Sequence, residues 1–326
     1  MQCNGKDPRT GLPGPSNNTA AGGNLYGAMI HPYTIGPMGF RSAVWYQGEA
    51  NVGAAAFYAC QFPAMIQGWR EDLQLPDLWF GFVQIAGWAY SGGQGGVAAG
   101  DLRQAQLAAL KLNNVGLSTA IDTGDWSNIH PPDKQDVAAR LTAQALRAIY
   151  GIGDGGAFPI YAGSKLTVAG TTVSVEVSFV EGSTGTGLTA ELPLAASQSS
   201  TLGKGPDITR AQCVTALPAV KGKVVNASAC GYPMIIGADG TSLNATATIS
   251  KNGETIVLSA TAPAGFVAEA SSYGRAAWPM TLFFNSGGLP VIPWYNKITD
   301  TKVTDMQLLN TENGVGDAGG RPEQYV

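Results

Sequence analysis

Along the first half of the chain, short unbroken apolar runs alternate with stretches whose apolar residues recur at helical spacing. "FRSAVWYQG" (40–48) is an apolar run ending in a turn, "LWFGFVQIAG" (78–87) reads as a buried strand, and "GLSTAIDTG" (116–124) reads as a third strand. Between the first two, Tyr58, Phe62, Met65, Ile66, Trp69 and Leu73 share one helix face, with Pro63 expected to kink that helix or start a new turn. "DLRQAQLAALKL" (101–112) predicts a second helix. The clearest helix follows residue 130. Val137, Leu141, Ala145, Ala148 and Ile149 form its stripe, Asp133 is the expected cap with Asp136 three residues on, two prolines precede it, and Gly151 ends it. Such alternation predicts an α/β fold, a parallel sheet covered on both faces, with ligand sites at the carboxyl ends of its strands.

The period changes after about residue 155. Val173, Val175, Val177 and Phe179 alternate at period two, and Asn252-Gly253 sits between two β-prone runs as a hairpin signal. The expected organisation is an irregular arm (1–24), an α/β domain (25–154), a β-rich, sandwich-like domain (155–296) and a polar tail (297–326) without assigned structure.

Composition narrows the classes. Charged residues are 13% of the chain and the net charge is −4, without the basic block that nucleic-acid binding needs. No apolar run approaches the roughly 18–20 residues that span a bilayer. Cys3, Cys60, Cys213 and Cys230 form no CxxC pair, and the spacing of Cys213 and Cys230 allows a disulfide. Sequons at Asn17, Asn226 and Asn244 fit a secreted glycoprotein, extracellular or lysosomal, yet "MQCNGKDPRTGL" holds no signal-peptide core. The expectation is that the natural N-terminus lies further upstream.

Candidate chemistry centres on His130 in "WSNIHPPDKQ" (126–135), at a strand-to-helix passage with Asp122 and Asp125 just upstream. An imidazole oriented by a carboxylate suits a general base; a loop histidine bonded to nearby backbone is the competing reading. In "WYQGEAN" (45–51), Gln47, Gly48, Glu49 and Asn51 crowd the exit of an apolar strand. The Gly48 N–H could face an oxyanion with Gln47 or Asn51 adding a donor, or the group could be a hydrogen-bonded turn. His31, flanked by apolar residues and Pro32, reads as structural. "GGQGGVAAG" (92–100) lacks the acidic partner of a dinucleotide site, and two distant histidines make no metal ligand set, so no cofactor is expected. No G-x-S-x-G elbow exists, and Ser16 in "GPSNN" has no apolar strand before it.

Several blocks nonetheless resemble the sialate O-acetylesterase family in consecutive order: "LYGAMIHP" (25–32), "AVWYQGEAN" (43–51), "FPAMIQGWR" (62–70), "LRQAQ" (102–106), "AIDTGDWSNIHPPDKQDVAARL" (120–141), "YGRAAWP" (273–279) and "NSGGLPVIPW" (285–294). The resemblance implies an SGNH hydrolase with a flavodoxin-like, three-layer parallel sheet, here incomplete, that removes O-acetyl groups from sialic acids or related glycans. It carries His130 over as general base and Gly48 as oxyanion contributor, with Gln47, Glu49 and Asn51 lining the site. The family's serine lies in an upstream G-Q-S-N-M block that is not found here, which makes Ser16 a decoy and the chain a fragment without its nucleophile. The position three residues before the histidine, often Asp in SGNH enzymes, is Ser127, so Asp125 is the candidate acid, with Asp122 and Glu49 as substitutes. An inert carbohydrate-binding or structural remnant and an acetylxylan-type esterase are the alternative readings.

Overall fold

The computed structural model describes residues 32, 39–88, 97–125, 128–190, 233–277, 279 and 283–299. Strands β1 (Ser42–Trp45), β2 (Trp79–Gln84) and β3 (Val115–Thr119) form a parallel sheet in that order. Helix α1 (Ala55–Asp72) joins β1 to β2, α2 (Ala98–Gln106) leads through a 3-10 turn (Leu107–Lys111) to β3, and α3 (Gln135–Tyr150) follows β3.

Strand β2 shows how the layers form. All six of its residues are buried, so both faces must be covered. Phe80 and Phe82 join Tyr58, Phe62 and Ile66 of α1 and Leu102 and Ala105 of α2 in one core. Trp79 and Val83 join Val137 and Leu141 of α3 in another. Burying each Phe ring contributes about 1.5–3 kcal/mol. Strands laid down in sequential order keep their right-handed crossovers on one face, which is why α1 and α2 share a layer while α3 lies opposite.

The structure bears on two expectations about helices. Helix α1 runs through Pro63 without a break. An interior proline costs about 3 kcal/mol, and here the surrounding packing outweighs it: Phe62 meets Phe80 at 6.0 Å and Phe82 at 5.3 Å between ring centres, with Ile66 fully buried one turn on. Helix α3 begins at Gln135, so Lys134 and not Asp133 holds the cap position, without a side-chain cap hydrogen bond. Its other end is as expected, with Gly151 left-handed at φ 69° and its N–H donating to the Arg147 carbonyl at 3.1 Å.

Among the described residues the β-rich part has two four-stranded antiparallel sheets. One is ordered β4 (Tyr161–Ala169), β5 (Thr172–Phe179), β10 (Thr255–Thr261), β9 (Thr246–Ile249); the other is β13 (Trp294–Lys297), β11 (Ala268–Tyr273), β7 (Met234–Gly237), β8 (Ser242–Asn244). A short pair joins β12 (Phe283–Asn285) to β6 (Leu188–Ala190). Val173, Val175, Val177 and Phe179 all point into a core with Ile235, Ile256, Leu258, Tyr273 and Trp294, as their alternation predicts. Asn252-Gly253 does lie in the β9–β10 connection, which is the longer loop 250–254 and not a two-residue turn.

The boundary at 155 is not a break in packing. Phe158, Ile160, Ala162 and Ile292 belong to the core under α1 and α2. Residues 297–299, assigned to the polar tail, are bonded into the β-rich part: the Ile298 N–H donates to Glu269 O at 2.8 Å and the Ser164 N–H to Thr299 O at 3.3 Å. The rest of the tail and the arm 1–24 lie outside the described residues.

Candidate active site

Parallel register sets the chain exits from β1, β2 and β3 on one edge, with Trp45 beside Phe82 and Gln84 beside Thr119. Three loops, 46–54, 85–88 and 120–134, therefore share that edge. Two of them touch backbone to backbone, since a Cβ added to Gly124 would lie 2.3 Å from the Gly87 carbonyl oxygen. Only glycine permits that approach.

The first loop is a hydrogen-bonded turn. The Gln47 amide is satisfied at both ends: its Nε2 donates to Asn51 Oδ1 at 2.8 Å and its Oε1 accepts from the Tyr58 hydroxyl at 3.1 Å. Gln47 and Asn51 are thus brought together, but facing each other. Gly48 is buried at φ 152°, and its carbonyl accepts from the Asn51 N–H at 2.8 Å. Among the described residues, none accepts a hydrogen bond from the Gly48 N–H. Glu49 opens a 3-10 turn (Glu49–Asn51) and is half-buried. Burial pushes the Tyr58 hydroxyl pKa up to about 12, opposed by hydrogen bonds with Trp45 and Gln106 and reinforced by the Glu49 charge. Tyr58 is a neutral donor at any physiological pH.

Behind this turn lies a polar scaffold that the sequence reading missed. Gln106, fully buried, accepts from the Ile85 N–H at 3.0 Å and donates to Gln47 O and Val83 O, each at 3.1 Å. Arg103, also fully buried, donates to Ile85 O, Ala86 O, Ala276 O and Ala277 O at 2.7–3.1 Å. The guanidinium fork thereby ties the exit of β2 to the loop after β11. Gln84 donates to Arg103 O and accepts from the Thr119 hydroxyl, linking the exits of β2 and β3. One signal was available: Arg103 and Gln106 stand three apart beside Leu102 and Ala105, on the face the apolar pattern assigns to the core.

The third loop carries His130. Its ring is exposed, and its backbone N–H donates to Asn128 Oδ1 at 2.9 Å. Asp125 is buried and forms an isolated bridge with Asn128, whose N–H donates to Asp125 O at 3.3 Å. Among the described residues, no carboxylate or hydroxyl hydrogen-bonds the His130 ring. Asp122 is engaged elsewhere, in a two-pronged ion pair with Arg140 at 2.8 and 2.6 Å. Burial opposes the Arg140 charge, but the hydrogen bond and charge of Asp122, with Asp136 and Asp133 adding, raise its pKa overall. Asp133 therefore acts on α3 through charge and not as a cap.

The His130 loop and the Gly48 turn meet through Lys134 and Tyr46. The ammonium lies 4.3 Å from the Tyr46 ring centre, and burial lowers its pKa while the nearby Glu49 charge opposes that shift. Ser16, His31, Ser127, Cys3, Cys213 and Cys230 lie outside the described residues; Cys60, on α1, is disulfide-bonded. A cavity of about 240 Å³ opens at the opposite edge of the sheet, lined by Trp79, Val115, Leu117, Gln144, Phe158 and Ile160. It lies away from the converging loops, which hold the reactive groups.

Comparison with known proteins concentrates on the same segment. Residues 15–146 match the family model for carbohydrate esterases described as sialic acid-specific acetylesterases. A sialate O-acetylesterase of Rattus norvegicus is 34% identical over 148 residues, covering 39% of this chain and 26% of that protein. One of Homo sapiens is 33% identical over 165 residues, covering 45% and 30% respectively. The chain thus spans less than a third of the length of these curated relatives. A crystal structure of a carbohydrate acetylesterase from Xanthomonas citri superposes with a TM-score of 0.61 at 26% identity, covering 85% of this chain and 54% of that one.

Proposed function

We propose that this chain, whose residues 15–146 match the family model for sialic acid-specific acetylesterases, belongs to that carbohydrate esterase family and hydrolyses O-acetyl esters on sialic acid or a related sugar. The observation that carries the reading is that an exposed imidazole, His130, and a buried amide without an acceptor among the described residues, Gly48 N–H, share the carboxyl edge of one parallel sheet. We take that sheet to be part of an SGNH-type three-layer fold.

Acyl transfer needs a nucleophile, a base and an anion-stabilising donor. On this reading the chain carries its own nucleophile, a serine outside the described residues, in place of the expected fragment without one; its hydroxyl attacks the acetyl carbonyl, and His130 takes its proton. The Gly48 N–H then steadies the tetrahedral oxyanion. The alkoxide of the sugar leaves with the proton that His130 returns, and water activated by the same imidazole releases acetate and regenerates the hydroxyl. Asp125 serves as the acid that orients His130. Its carbonyl accepts from the Asn128 N–H, two residues before His130, whereas Asp122 is held by Arg140 and the Glu49 charge acts on Lys134. Gln47 and Asn51 support the Gly48 turn, and their mutual hydrogen bond favours this role over direct substrate contact.

Bonded Cys60 and the exposed sequon residue Asn244 support an oxidising compartment, extracellular or lysosomal, for the protein. The test is acetate release from O-acetylated sialic acid and from acetylated xylan, run alongside fluorophosphonate labelling with peptide mapping. Faster release from the sialic acid, lost in His130→Ala, is expected. Neither release nor label would assign the chain to an inert, carbohydrate-binding form.

A further inference from the structure

Two buried donors converge on a single carbonyl. Gln47 O accepts from Gln106 Nε2 at 3.1 Å, and the Tyr58 hydroxyl, whose single proton is shared between this carbonyl at 3.2 Å and Gln47 Oε1 at 3.1 Å, adds a weaker second hold. That carbonyl belongs to the same peptide group as the Gly48 N–H. A trans peptide is planar, and its N–H points opposite to its C=O. Pinning the oxygen toward the interior therefore turns the hydrogen away from it.

We infer that Gln106, assisted by Tyr58, is the positioning residue that aims the Gly48 N–H into the esterase site; the inference rests on the proposed oxyanion role of Gly48. Gln106 suits the task because its other bonds fix it to rigid backbone. Oε1 accepts from Ile85 N–H and Nε2 also donates to Val83 O, both at the buried exit of β2. The turn after β1 is thus gauged against the central strand. Gly48 packs so closely on this amide that a Cβ there would lie 3.2 Å from Gln106 Nε2. No ordinary side chain at 106 other than glutamine reaches this set of partners: the carboxylate of glutamate offers only acceptors where two carbonyls need a donor, and methionine offers no donor at all.

The experiment uses the chain labelled with ¹⁵N-glycine, its Gln106→Met variant and its Tyr58→Phe variant. The Gly48 amide signal, assigned through its loss in Gly48→Ala, is expected to exchange rapidly with solvent in the unaltered chain and to move in both variants, more in Gln106→Met. Kinetics on a small neutral acetyl ester are expected to show kcat falling by about 10²-fold in Gln106→Met with KM held, the size of losing one oxyanion donor. A merely structural Gln106 would instead lower the folded fraction and leave kcat per folded molecule unchanged. If Gln106→Met fails to fold, Tyr58→Phe, which keeps its ring, carries the same prediction at smaller size. A displaced Gly48 signal with unaltered turnover would refute the oxyanion reading and keep the positioning. An unmoved Gly48 signal in the variants that fold overturns the positioning itself.

Discussion

The ammonium of Lys134 sits 4.3 Å from the centre of the Tyr46 ring, joining the first turn of one chemical loop to the strand exit of the other. Lys134 follows His130 by four residues, and Tyr46 precedes Gly48 by two. On the proposed roles of His130 and Gly48, the contact would hold the base and the oxyanion donor at a fixed separation. Lys134→Met is expected to cost about 0.5–1 kcal/mol in denaturant stability, the size of a partly exposed cation–π contact. Turnover should fall by more than the lost folded fraction explains. Unchanged turnover per folded molecule would show that the contact does not align the loops.

Gly48→Ala should be harmful twice over. At φ 152° the new side chain is strained, and its Cβ would lie 2.9 Å from Ile85 Cγ2. Strain of this kind costs about 1–3 kcal/mol. Urea unfolding should show a loss of that size, with catalysis falling further because the peptide must shift.

Asp122→Asn separates the carboxylate paired with Arg140 from Asp125, the proposed catalytic one. The ion pair is mostly buried, with side-chain exposures of 18% for Asp122 and 10% for Arg140. Removing one charge strands the other, at a cost of about 3 kcal/mol. Stability should drop while turnover per folded molecule holds. Asp125→Asn should do the reverse, and the paired measurement decides which carboxylate serves His130.

Alkaline pH should destabilise the fold in part through Tyr58. Its folded pKa of about 12 stands above the ordinary value of 10.0, so the unfolded chain loses that proton first. The stabilisation is complete below pH about 10 and fades as pH rises toward about 12, at up to about 1.4 kcal/mol per unit. The midpoint of chemical unfolding should therefore fall less steeply over that window in Tyr58→Phe than in the parent chain.

Much of this architecture was legible in hydrophobic period. The alternation of Val173, Val175, Val177 and Phe179 gave the face of β5, and the stripe from Val137 to Leu141 gave the buried side of α3. His130 and Gly48 were legible as strand-exit residues. What escaped was polar and non-local. Arg103 bonds carbonyls of residues 276 and 277, which no window around residue 103 contains, and hydropathy treats a buried guanidinium as a surface group. The Asp133 cap failed for a local reason, because Lys134 already adopts near-helical angles and takes the cap position. Pro63 shows the reverse case, in which tertiary packing outweighs an intrinsic breaker.

The most direct measurement is a nuclear magnetic resonance titration of the ¹⁵N-glycine- and histidine-labelled chain with O-acetylated sialic acid. One acetyl-ester site built from both loops predicts that the Gly48 amide and the His130 ring signals move together along a single binding curve, with non-acetylated sialic acid shifting them less. Movement of only one of them, or of neither at saturating sugar, would contradict it.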